Sequence, residues 1–161
     1  LTTQSRLHEL LRYNTETGIF VWIARTSNRI KIGDIAGTLS KRDGYVRISV
    51  DGIIYLAHRL MWLYMTGKFP TSEVDHKNTV RNDNRWENLR EATRLINVQN
   101  QRRARKDNCT GFLGVRKMKG NFQANIRVNG RSLNCGTFPT PELAHEAYLT
   151  AKRALHDGCT L

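Results

Sequence analysis

The dipeptide Asn129-Gly130 constrains the fold more than any other feature of the chain. It separates two runs of strand-forming residues, Phe122 to Val128 and Arg131 to Phe138. Asn-Gly tolerates two successive left-handed residues, the backbone of a type I′ turn, and that turn closes an antiparallel hairpin. Gly114-Val115-Arg116-Lys117 reads as a further strand, joined through the turn Lys119-Gly120-Asn121. A helix start follows: Thr140 as N-cap, Pro141 at the first helical position and Glu142 near the positive end of the helix dipole. Leu143, Ala144, Ala147, Tyr148, Ala151 and Leu155 recur at helical spacing and should cover the sheet, with Gly158 as the stop. The expectation is a three-stranded antiparallel sheet with one packed helix.

The other half of the chain reads as a mixture of short elements. Gln4 to Tyr13 suggests an amphipathic helix with Leu7, Leu10 and Leu11 on one side, and Ile19 to Trp22 a strand. Gly44 to Val50 and Ile53 to Leu56 flank Asp51-Gly52, a second hairpin signal. A helix from Ala57 to Thr66 ends at Gly67. Glu73-Val74-Asp75-His76 is strand-like, a polar loop with Asn78, Asn82, Asp83 and Asn84 follows, and a second strand runs near Asn88 to Ala92. Thr93 is placed to cap a helix reaching Ala104.

Charge narrows the partner. Lys plus Arg number 26 against 14 Asp plus Glu, a net charge of +12, which attracts polyanions. No apolar run approaches the roughly 18 residues of a membrane span, and no basic start followed by an apolar block marks a secretory signal. Cys109, Cys135 and Cys159 lack C-x-x-C spacing and read as reduced thiols, so the expected location is the cytoplasm. Between Gln99 and Cys135 stand Arg102, Arg103, Arg105, Lys106, Arg116, Lys117, Lys119, Arg127 and Arg131, with Asp107 the only acid. Such a concentration is expected of a nucleic-acid docking surface.

Cleaving a phosphodiester needs a base to activate water, a cation at the leaving oxygen and groups that hold the phosphate. Asp75 is a hard oxygen ligand, and His76 beside it is a base that titrates near neutrality. Neighbours on a strand point to opposite sides, which suits in-line attack. Asn97 on the following helix offers a second oxygen. An oxygen-only, low-charge donor set favours Mg²⁺ or Mn²⁺ over Zn²⁺.

Asp75-His76, the Asn-rich loop, Asn88 before Leu89 and Asn97 on a helix resemble the HNH nucleases, whose ββα-metal (His-Me finger) motif runs strand, loop, strand, helix. The version here resembles phage and intron-encoded HNH endonucleases in which Asn replaces the last His. The resemblance implies that His76 is the general base, that Asp75 and Asn97 bind the metal, and that Asn88 pins the loop and helps orient the histidine. His58, in Ala57-His58-Arg59, reads as a packing residue at a helix start.

The segment after Asn108 resembles the plant ethylene-response-factor DNA-binding domain, through Gly114-Val115-Arg116, Ala124-Asn125-Ile126, Cys135-Gly136-Thr137-Phe138 and the helix residues Glu142, Ala144, Ala147 and Tyr148. That family lays its sheet in the major groove. The resemblance implies that Arg116, Lys119, Arg127 and Arg131, with Lys117 in a lesser role, face DNA. Phe122 stands where the family has Trp.

The resulting expectation is an α+β chain: an N-terminal β-rich extension over residues 1–56, an HNH nuclease core over 57–105 and the sheet-and-helix domain over 106–161. Arg102, Arg103 and Arg105, and in the extension Arg42, Tyr45 and Arg47, are further candidates for DNA contact. The expected function is site-specific, metal-dependent endonuclease of double-stranded DNA, of homing type and phage-borne, acting in the host cytoplasm. One active site per chain favours nicking by a monomer. The rival is a DNA-binding regulator that keeps the nuclease fold without cutting.

Overall fold

The computed structural model describes residues 1–160. Its contacts divide the chain into two compact units, Leu1–Arg94 and the residues from Leu95 onward. Both are mixtures of helices and small antiparallel sheets.

The first unit opens with α1 (Gln4–Leu10), capped by Thr3, whose hydroxyl accepts from the Arg6 amide. The expected helix to Tyr13 stops short. Leu11–Asn14 is a strand, β1, paired with β2 (Ile19–Trp22). Leu7, Leu10 and Leu11 suit one helical face, but Leu11 and Tyr13 alternate with exposed residues and sit in the core at strand period. Gly18, with φ of +72°, brings this hairpin against the backbone of Asn84 and Arg85, where a Cβ would lie 2.5 Å from the Arg85 nitrogen.

A short strand that the sequence did not announce, β3 (Thr38–Leu39), pairs with β4 (Val46–Val50), which pairs with β5 (Ile53–Leu56). Asp51 and Gly52 both have positive φ, as the hairpin signal requires. Helix α2 (Ala57–Thr66) has its expected bounds and ends on Gly67 in the left-handed region. Leu7, Leu11, Phe20, Ile48, Leu60 and Met61 form the centre of the core. Two strands complete the unit, β6 (Glu73–His76) and β7 (Leu89–Ala92), antiparallel, with one 3-10 turn at Trp86–Asn88 before β7.

Helix α3 (Arg94–Gln99), all but its first residue in the second unit, is shorter than the expected run to Ala104. Residues beyond it are engaged elsewhere. Asn100 is buried and its Oδ1 accepts from the Thr160 hydroxyl at 2.5 Å, while Lys152 Nζ donates to the Gln101 carbonyl. The expected boundary between 105 and 106 therefore differs from the division after Arg94.

The sheet of this unit runs β10 (Arg131–Phe138), β9 (Asn121–Val128), β8 (Val115–Met118), all antiparallel. Helix α4 (Pro141–Leu155) packs across it, capped by the Thr140 hydroxyl on the Leu143 amide. Its buried line is Ala144, Tyr148 and Lys152, an i, i+4, i+8 row. Leu143 and Leu155, expected to cover the sheet, are instead exposed. Val115, Ala124, Ile126, Ala144 and Tyr148 make the core.

Candidate active site

Strand β6 sets Asp75 and His76 side by side, and pleating turns them to opposite faces. Asp75 lies across from Arg90, whose Nε and Nη2 donate to Oδ2 at 3.1 and 2.9 Å. Burying a carboxylate is costly unless it is paired and hydrogen-bonded in this way. Asp75 is 6% exposed and His76 4%.

The imidazole of His76 has a defined neighbour. Its Nε2 lies 3.2 Å from Asn84 Oδ1. An amide oxygen only accepts, so this contact suits the tautomer with the proton on Nε2. Asn84 is itself buried, and the Tyr13 hydroxyl donates to its carbonyl at 2.6 Å. Burial pushes that hydroxyl up to about 12, which keeps it a donor.

The loop between β6 and β7 is tied by amides. Asn88 Oδ1 accepts from the Asn78 amide at 3.0 Å, and Asn88 Nδ2 donates to the Asp83 carbonyl at 2.7 Å. Asn78 Nδ2 donates to Asp83 Oδ2 at 2.6 Å. Arg85 grips the same carboxylate and, as the first cause, holds it down at about 2. Asn88 thus joins the two ends of the loop, and an amide oxygen of the same loop, that of Asn84, meets the His76 ring. The sequence reading gave Asn88 the roles of pinning the loop and helping to orient the histidine and did not single out Asn84, whose signal was its place in an Asn-rich loop.

Residues 55–99 match the family model for HNH endonuclease. The chain carries an HNH endonuclease domain. It is a nuclease, an enzyme acting on phosphodiester bonds, and HNH nucleases act on DNA. No curated protein and no solved structure matches the chain. No helix among the described residues is long and apolar enough to cross a membrane.

Two rings in the nuclease unit enclose His76. His58, from the first turn of α2, stands nearly perpendicular to it with centroids 5.1 Å apart. Tyr45 lies 5.2 Å from His58 and 6.0 Å from His76. Loss of water around His76 lowers its pKa below the ordinary histidine value, and the Asn84 hydrogen bond and the Asp75 charge oppose this. The ring is neutral at pH 7, as a base must be.

Burial, and after it the charges of His76 and Arg59, pushes His58 down to about 3. In the unfolded chain a histidine titrates near 6.5. The unfolded state therefore binds more protons between those values, so this contribution to stability is complete above pH 6.5 and is lost as pH falls toward 3. The first unit should lose about 2 kcal/mol between pH 7 and pH 5 from this group. Trp22, Trp62 and Trp86 all lie in that unit, so urea unfolding followed by tryptophan fluorescence reads it directly. His58→Leu should flatten the dependence; an unchanged slope would show that His58 titrates normally.

The DNA-contact candidates fall in different settings. Arg42 is exposed ahead of β4, whereas Arg47 is held by Asp43 at 3.0 and 2.5 Å. Arg103 and Arg105 are exposed, and Arg102 Nη2 donates to the carbonyl and hydroxyl of Thr160, both at 2.8 Å. Register splits the sheet residues. Arg116 pairs with Gln123 and Arg127 with Ser132, on the face turned away from Ala124 and Ile126. Lys117 pairs with Phe122 and Arg131 with Val128, on the other face, and Lys119 sits in the turn at positive φ. Arg116 Nε donates to Gln123 Oε1 at 2.7 Å, which orients its guanidinium on the outer face.

The metal candidates lie in different units. Asp75 is on β6, and Asn97 is half-buried on α3 in the second unit. Asp75 offers a buried carboxylate oxygen, the kind of ligand that suits a hard cation. Among the described residues no three His, Cys, Asp or Glu side chains gather as a metal cage.

Proposed function

We propose that the chain is a homing-type, site-specific endonuclease that hydrolyses double-stranded DNA with Mg²⁺ or Mn²⁺. One observation carries this reading: a buried histidine, next to a buried aspartate, with its Nε2 3.2 Å from the Asn84 amide oxygen.

In this account His76 Nδ1 takes a proton from water, and the resulting hydroxide attacks phosphorus. The 3′ oxygen leaves, giving a 5′ phosphate and a 3′ hydroxyl. Asn84 fixes the ring and its tautomer, and Asn88 keeps the loop that presents Asn84 in shape. A divalent ion supplies charge neutralisation for the leaving oxygen when bound, and the residues assigned to it are Asp75 and Asn97. That assignment, like the homing type and the phage source, rests on the resemblance of the sequence to phage and intron-encoded enzymes. The outer sheet face with Arg116 and Arg127, and the exposed Arg103 and Arg105, are assigned to DNA: arginine can read guanine in the major groove with two hydrogen bonds.

Supercoiled plasmid incubated with protein and Mg²⁺ or Mn²⁺ tests the reading. Nicked product bearing 5′ phosphates is expected, since one active site per chain cuts one strand. Binding without any nicked or linear product under either metal would favour the non-cutting regulator.

A further inference from the structure

Of the arginines on the loops and strands of the first unit, three face carboxylates, while Arg59 of α2 reaches only the Pro70 carbonyl, at 3.5 Å. Arg47 is paired with Asp43, Arg85 with Asp83 and Glu87, and Arg90 with Asp75. Arg81 has no carboxylate partner among the described residues. It is exposed, its Nη1 donates to the Asp43 carbonyl at 2.9 Å, and its guanidinium lies over the Tyr45 ring, 5.1 Å from the centroid. The Asp43 carboxylate is itself paired with Arg47, through both of its oxygens.

The loop that carries Arg81 is built to a fixed shape. Thr79 has φ of +64°, a conformation that costs a β-branched residue energy, and its amide bonds the His76 carbonyl at 2.8 Å. The Asn78 side chain accepts from the Val80 amide at 2.9 Å. Such bonds over-determine the turn directly after His76, and Arg81 is what that turn projects. Tyr45, the platform under the guanidinium, is also the ring 6.0 Å from His76.

A cation that is fixed in place, exposed and without an acid meets an anion from outside the chain. We propose that Arg81 is the phosphate-holding residue of the cleavage site, binding a non-bridging oxygen at the scissile linkage or the linkage next to it, with Tyr45 as its platform. This rests on the reading of His76 as the base. A guanidinium fits a phosphate with two parallel N–H donors, and a fixed donor needs no reorganisation when charge builds on phosphorus.

Duplex oligonucleotides containing the mapped cut site test this, each with one phosphate replaced by a neutral methylphosphonate. Arg81→Ala should lower the single-turnover rate at saturating DNA by about 10- to 100-fold, with a change in Kd below about threefold. Arg81→Lys should recover part of the loss, since lysine keeps the charge but not the fork. A methylphosphonate at the cut or beside it should slow the wild type and add little to the slowing in Arg81→Ala. Tryptophan-monitored unfolding should match the wild type, as expected for an exposed side chain. Weaker binding with an unchanged saturated rate would overturn the proposal, and so would equal methylphosphonate penalties in both proteins at every position. His76→Ala is measured alongside. If it cuts at the wild-type rate, the base assignment fails, while the phosphate coupling of Arg81 is still read from its own variant.

Discussion

Chelating divalent cations is expected to bring DNA cleavage below detection while leaving DNA binding in place. The leaving group in phosphodiester hydrolysis is an alkoxide, and its charge must be neutralised as the bond breaks. The cations of known partner are already balanced: Arg90 by Asp75, Arg47 by Asp43, Arg85 by Asp83. Arg81 is assigned to a phosphate oxygen rather than to the leaving oxygen. A bound metal is worth several kcal/mol of transition-state stabilisation, so the rate should drop by at least about 10³-fold. Restoring Mg²⁺ or Mn²⁺ should restore cutting. Affinity should barely change, because the net charge of +12 attracts DNA with or without the ion. The measurement is a single-turnover cleavage assay and a binding titration on the same samples. Full activity in chelator would remove Asp75 and Asn97 from any metal role.

Much of the architecture was legible because it is written in local chemistry. Asp51-Gly52 and Asn129-Gly130 each require two left-handed residues, and each closes the hairpin it announced. Thr140-Pro141 starts α4, and Gly67 ends α2, at the expected residues. The strand bearing Asp75 and His76 has its expected bounds.

What stayed hidden depends on tertiary contacts. Leu11 fits a helix by its spacing from Leu7, yet with Tyr13 it joins a strand, where Trp22 and Phe20 lie opposite. Lys152 is 1% exposed although lysine is seldom buried, and it is anchored on the Gln101 carbonyl. Arg102 carries the charge of a DNA ligand, yet it bonds Thr160, 58 residues further along. The set Arg116, Lys117, Arg127 and Arg131 reads as one basic face until the register divides it between two. Asn84 was one of several loop asparagines, and only its distance to His76 distinguishes it.

Replacing His76 tests the central claim most directly. Removing a general base costs about 10²- to 10⁴-fold in rate. His76→Ala should therefore lower the single-turnover rate at saturating DNA by at least about 10²-fold, with Kd nearly unchanged. The wild-type rate should rise with pH and level off below the ordinary histidine range. Burial lowers the His76 pKa, so the ring is already deprotonated at pH 7. That rising limb should vanish in the variant. A loss of at least about 10²-fold with binding retained and the limb abolished is the result the account predicts. A variant that cuts as fast as wild type, with the same pH profile, would contradict it.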